Sequence, residues 1–204
     1  MRTRALNPWA SQKPSAVSAG SGGTVRIWDP ETGQQRTRLE GHQGGVWAAC
    51  PVTVAGKELL ASAGSDSTVR IWDPQTGQQH VALEGHVGLL WSVCPVTVAR
   101  EGLLASASAD GTIRVWDPQT GQQRTMLEGH RAEVNDVCQV TVAGKELLAS
   151  AGDDGTVRIW DPETGACPLT VPTHYPAQAT AWVAGSLTIG LGAGILVIKP
   201  RAAR

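Results

Sequence analysis

The sequence predicts an all-β chain built from small antiparallel sheets stacked in series. Three observations carry this reading. Trp-Asp pairs at Trp28, Trp72, Trp116 and Trp160 recur with a spacing of 44 residues, a period typical of repeat architectures. Each pair runs into a Pro-x-Thr-Gly turn, and the residues before it fall into short apolar or alternating runs. No stretch carries a helical period.

The repeat is close. Gly-His pairs keep step at His42, His86 and His130, and His174 holds the next slot behind Thr173. Segments 42–85 and 86–129 are identical at roughly 28 of 44 positions. Within one copy, 96–99 and 103–108 read as short strands bounded by Pro95 or by polar links. Residues 112–117 alternate, with Ile113 and Val115 on one face and Thr112, Arg114 and Trp116 on the other. The Asp117-Pro118-Gln119-Thr120-Gly121 stretch is a tight connection, because proline presets φ and glycine accepts positive φ. A fourth strand over 123–127 leads to the next Gly-His.

Composition narrows the function. The 204 residues, 41% of them hydrophobic, suffice for a sizeable core. Phenylalanine is absent while tryptophan occurs eight times, so the repeat itself places the indoles. A net charge of −1 gives no electrostatic reason to expect nucleic acid or an anionic membrane as a partner. Cys50, Cys94 and Cys138 occupy one repeat slot, and Cys167 lies off it. Widely spaced cysteines suit buried thiols in a reducing, cytoplasmic setting, and their spacing relative to histidine is wrong for zinc. No metal or other cofactor is expected.

These residues and their spacing make the chain resemble the WD40-repeat β-propeller family, strongly over 15–172 and weakly beyond. The expected fold is three full blades flanked by two partial ones, as an open arc or incomplete ring. A closed five-blade ring stays open as an alternative. The expected divisions are an irregular lead-in over 1–14, a partial blade over 15–41, three repeats over 42–173, a degenerate last blade over 174–200 and a tail over 201–204. Rings of this family commonly have seven blades, about 308 residues at this repeat length. The simplest account is that the chain is the C-terminal portion of a larger propeller or multidomain regulatory protein.

The resemblance also implies a hydrogen-bonded tetrad in each full blade. It maps onto His42, Ser62, Asp66 and Trp72, then His86, Ser106, Asp110 and Trp116, then His130, Ser150, Asp154 and Trp160. The chemistry suits the roles, since a buried indole N–H needs an acceptor and imidazole can link a hydroxyl to a carboxylate. Serine, histidine and aspartate are also the ingredients of a nucleophilic triad. Three equal copies argue for a brace instead, and no G-x-S-x-G elbow is present. No catalytic residue is therefore assigned.

The stretch 181–198 is uncharged and about long enough to span a bilayer as a helix. Its glycines at 185, 190, 192 and 194, and its alignment with preceding blades, predict strands instead. Ile198 then fills the tryptophan slot and Gly192 the tetrad aspartate slot.

By resemblance such a scaffold is a non-catalytic platform for a protein or peptide partner. A self-assembling array, joined through open blade edges, is the alternative. An enzyme with a site at the channel mouth is a third reading, disfavoured because no carboxylate or histidine cluster stands outside the repeat. The candidate partner-binding rim consists of slots where similar copies disagree: Gly45, Leu89 and Glu133; Trp47, Trp91 and Asn135; Ser65, Ala109 and Asp153. Arg131 joins them. Variation at solvent-exposed positions is the plain alternative, yet two tryptophans and a leucine there form the kind of apolar cluster that marks binding surfaces.

Overall fold

The computed structural model describes residues 15–199; the expected lead-in and tail lie outside the described residues. Five antiparallel sheets form, each a meander in chain order. The first holds β1 (Ala16–Ala19), β2 (Thr24–Trp28) and β3 (Gln35–Glu40). The second holds β4 (Val46–Val54), β5 (Lys57–Gly64), β6 (Val69–Trp72) and β7 (Gln79–Leu83). The third holds β8 (Leu90–Val98), β9 (Glu101–Ser108), β10 (Ile113–Trp116) and β11 (Gln123–Leu127). The fourth holds β12 (Val134–Val142), β13 (Lys145–Gly152), β14 (Thr156–Trp160) and β15 (Leu169–Pro172). The fifth holds β16 (Ala177–Val183), β17 (Ser186–Leu191) and β18 (Gly194–Ile198).

The sheets stack through their leading strands, β1 on β4, β4 on β8, β8 on β12 and β12 on β16. Among the described residues no extensive packing joins the first sheet to the fifth. The molecule is an open arc of blades, three with four strands and one with three at each end. The 181–198 stretch forms β-strands, and no described helix is long and apolar enough to cross a membrane.

Turn chemistry sets the hairpins. Val54 pairs with Lys57 around Ala55 and Gly56, both at positive φ (49° and 77°). Two left-handed residues make the turn whose twist matches the flanking strands. The third sheet uses Ala99 and Arg100 at 49° and 72°, so a side chain occupies a conformation that favours glycine. At the same end of the second sheet the aspartate of the Trp-Asp pair organises the next turn, and Lys57 from the first hairpin reaches Asp73 Oδ2 at 2.8 Å. Asp73 Oδ1 accepts from the amides of Gln75 (2.8 Å) and Thr76 (3.3 Å), while the Gly77 amide donates to Asp73 O at 2.9 Å.

The leading strands start earlier than the sequence predicts. β8 begins at Leu90, not Val96, and runs straight through Pro95. Proline is tolerated because β8 pairs only with β9, and an edge strand can spare an N–H. The blades are buried on both faces, as in β9, where Leu103 through Ser108 are all buried. Hence Trp116 is as buried as Ile113, despite pointing to the opposite face.

Candidate functional site

Each full blade carries the same polar chain. Trp72 Nε1 donates to Ser62 Oγ at 2.8 Å, Ser62 Oγ meets His42 Nε2 at 2.8 Å, and His42 Nδ1 lies 2.9 Å from Asp66 Oδ1. The third sheet repeats it through Trp116, Ser106, His86 and Asp110 at 2.8, 2.9 and 2.7 Å. The fourth repeats it through Trp160, Ser150, His130 and Asp154 at 2.8, 2.7 and 3.0 Å. The donors fall in one direction: indole N–H to hydroxyl, hydroxyl to Nε2, Nδ1–H to carboxylate. That order requires a neutral imidazole.

The electrostatics agree. Burial pushes His42, His86 and His130 below the ordinary imidazole range, and the facing aspartates pull back only part of the way. Burial alone would raise the Asp66 carboxyl, but hydrogen bonds from the Gln43 amide, His42 and Thr68 outweigh it and hold it at about 2. Asp110 also sits at about 2, where burial is outweighed by Thr112 and His86. The Asp66 and Asp110 carboxylates also accept from the Gln43 and Val87 amides, so the loop before each leading strand is fastened to the blade.

These chains have the connectivity of a nucleophilic triad without its access. Ser62, Ser106 and Ser150 are fully buried, and each hydroxyl oxygen is taken by an indole N–H. Nothing larger than the existing partners reaches Oγ.

The glycine of each Gly-His pair has a steric reason. A Cβ on Gly129, at φ 151°, would lie 2.7 Å from Arg158 Nη1 and 3.3 Å from the Trp160 ring. Gly41 and Gly85 face Arg70 with Trp72, and Arg114 with Trp116, in the same way. In the last copy Thr173 stands in this slot without the positive φ of Gly41, Gly85 and Gly129, and Leu196 and Ile198 replace the arginine and tryptophan.

The disagreeing slots converge on one rim. The Ser65 amide donates to Gly45 O, Ala109 to Leu89 O and Asp153 to Glu133 O, at 2.8, 2.8 and 2.9 Å. Trp47, Trp91 and Asn135 lie inside strands, not in the loops entering them. Each falls where the register to the next strand shifts: between Val46 and Ala48, Leu90 and Ser92, and Val134 and Asp136. Such a bulge takes one residue out of the ladder and re-aims its side chain. Trp47 is 51% exposed and packs against the partly buried Trp91, the rings tilted at 56° with centroids 5.4 Å apart. Trp47 Nε1 donates to Ser65 Oγ at 2.8 Å and Trp91 Nε1 to Glu133 Oε2 at 2.9 Å. Asn135 Nδ2 donates to Asp153 Oδ1 at 2.6 Å and to Ala177 O at 3.0 Å. Leu89 is exposed, as is Arg131, whose amide donates to Asp154.

Three residues on or near this rim escaped the sequence reading. Val87, 86% exposed, and Tyr175 are exposed apolar or aromatic side chains directly after a histidine of the repeat. The same slot holds Gln43 and Arg131, so its disagreement between copies was the available signal. Asp136 joins three leading strands: Ser92 Oγ donates to its Oδ1 at 2.5 Å and the Thr180 amide to its Oδ2 at 2.7 Å.

Cys50, Cys94 and Cys138 lie at matching positions of β4, β8 and β12. Burial, with Cys50 and Cys138 alongside, pushes the Cys94 thiol well above its ordinary value. Among the described residues no three His, Cys, Asp or Glu side chains are grouped as metal ligands.

Stacked four-stranded meanders, each braced by the same buried polar chain, define a bladed β-repeat scaffold. A family model described as "WD domain, G-beta repeat" matches residues 33–73, 77–117 and 121–161. The chain belongs to the WD40 repeat family. Each matched segment joins the outer strand of one sheet to the three inner strands of the next. Domains of this family are generally non-catalytic platforms for protein partners. No curated protein matches the chain as a relative.

Proposed function

We propose that this chain is a non-catalytic scaffold that docks a peptide or protein segment on the bulged rim. Its apolar anchor is taken up at Trp47, Leu89 and Trp91, with Val87 extending the patch. The observation that carries the reading is Trp47, held half in water against Trp91 by a bulge and by Ser65. A large indole fixed in this way supplies contact area with little ordering left to lose on binding. Over the fourth sheet the rim turns polar, with Arg131, Glu133 and Asp153, so the docked segment is apolar at one end and polar at the other. We place the scaffold in the cytoplasm on the strength of its widely spaced cysteines.

The test uses peptides selected from a random display library on the intact chain, with affinities measured by fluorescence anisotropy. Trp47→Ala and Trp91→Ala should each weaken a selected peptide by more than roughly tenfold, the scale of a hot-spot residue. Arg124→Ala, near the opposite rim, should not. Unchanged affinity in both tryptophan variants, with the fold intact by circular dichroism, would overturn the reading.

A further inference from the structure

Every junction between consecutive sheets joins two unlike faces. One face is small and aliphatic, as with Ala105, Ala107, Ile113 and Val115 of the third sheet, all fully buried. The other carries the tryptophan in three of the four junctions, and Leu196 with Ile198 in the fourth. Trp160 of the fourth sheet packs into the cluster formed by those aliphatic residues. Trp116 packs likewise on Ala61, Ala63, Val69 and Ile71 of the second sheet. Trp72 packs on Val25 and Ile27 of the first.

The described arc leaves one face of each kind open. In the fifth sheet Leu187, Ile189 and Leu196 pack against the fourth. The register Thr188↔Val197 and Gly190↔Ile195 puts those four on the opposite face, since side chains alternate along a strand. There Ile195 is 75% and Val197 51% exposed, whereas their counterparts Ile113 and Val115 are fully buried. Thr188, Gly190, Ile195 and Val197 bring no charge to that face. At the other end Ala16 pairs with Trp28 and Ser18 with Arg26, the arrangement that holds Trp72 and Trp116 in their sheets. Trp28 is only partly buried, where Trp72, Trp116 and Trp160 are fully buried.

We propose that the open aliphatic face of the fifth sheet, around Ile195 and Val197, binds the open Trp28 face of the first sheet of a second copy of this chain. The junction would be a fourth instance of the aliphatic-on-tryptophan contact that the chain already makes three times. It buries side chains face to face and needs no strand pairing at the blade edges. Because the two faces differ, the association is head-to-tail, and it closes into a ring or continues as a filament according to the curvature of the arc. This inference is independent of the rim, which lies at the ends of the strands and stays open in the assembly.

The experiment measures the size of the intact chain by sedimentation velocity over a broad concentration range. Two variants accompany it, Ile195→Lys/Val197→Lys on the aliphatic face and Ala16→Arg beside Trp28, each checked for fold by circular dichroism. The parent chain should form concentration-dependent oligomers, and each variant should be weakened at least tenfold, the scale expected when a central anchor is lost. Mixing the two variants should restore one intact junction and give a dimer that grows no further. A parent chain that stays monomeric throughout would overturn the proposal and leave the face to another protein or to further blades. Oligomers that survive both variants, or folded variants that give no capped dimer on mixing, would overturn it as well.

Discussion

Trp28 donates its indole N–H to Ser18 Oγ at 2.8 Å, the same bond that Trp116 makes to Ser106 in the third sheet. The first sheet has Gly22 where later copies have the tetrad aspartate. The indole–hydroxyl bond therefore forms in a blade that lacks the aspartate, while the histidine–aspartate extension reaches the loop before the leading strand.

Ser106→Ala should accordingly destabilise far more than Ser18→Ala. The first leaves a fully buried indole N–H and His86 Nε2 without their shared partner, at about 1–3 kcal/mol. The second leaves a partly exposed indole that water can reach, at less than about 1 kcal/mol. Urea titrations of both variants decide it, and equal shifts would remove the tetrad from its bracing role.

Acid should loosen the fold in two steps. The tetrad histidines are held below 6.5 by burial, so below that pH the unfolded chain binds protons that the folded chain refuses. The stability they lend is lost as the pH falls through the unfolded value. Asp66 and Asp110, at about 2 against an ordinary 3.8, add a second loss as the pH falls from about 4 towards 2. The melting temperature should be level above about pH 7 and decline below about pH 6.5. A level curve down to about pH 5 would contradict the neutral tautomer.

The Arg100 turn is a correctable flaw. Arg100 holds φ 72° where Gly56 and Gly144 hold 77° in equivalent turns. Arg100→Gly removes a left-handed penalty of about 1–2 kcal/mol and adds about 0.5–1 kcal/mol of chain entropy lost on folding. A net gain of about 0–1.5 kcal/mol is expected. Thermal melts would show it as a small rise, and a fall would mean that the Arg100 side chain stabilises the hairpin.

Cys94 should resist alkylation in the folded chain. Its thiol is raised by burial and by the thiols on either side, and only the thiolate reacts. Mass spectrometry after iodoacetamide at mildly alkaline pH should find Cys94 unmodified until denaturant is added. Rapid labelling in the native state would show that the leading strands open.

Much of this was legible in the sequence. The 44-residue spacing and the Pro-x-Thr-Gly turns foretold the stack of sheets, and the family resemblance pointed to Ser106, His86, Asp110 and Trp116 as one polar chain. Three things were hidden. Pro95 reads as a strand boundary, because sequence does not reveal that β8 has a free edge. The bulge that carries Trp91 depends on how Leu90 and Ser92 pair with β9. The Gly-His glycine looks like a turn residue, yet its need for space comes from Arg158 and Trp160, about thirty residues further along the chain. What resisted reading was in each case a relation between strands, not a property of one.

The register shift that frees Trp47, Trp91 and Asn135 from the ladder would make the recognition proposed for this rim addressable blade by blade. Each freed residue stands outside the ladder of its hairpin and is held by rim partners instead, Trp47 by Ser65, Trp91 by Glu133 and Asn135 by Asp153 and Ala177 O. Its identity therefore changes together with a rim partner and not with the ladder beneath. A chain of nearly identical blades can therefore present a non-repeating surface. Exchanging single residues between blades, Trp91 for Asn135 and the reverse, should move the apolar anchor by one blade and carry a bound segment with it.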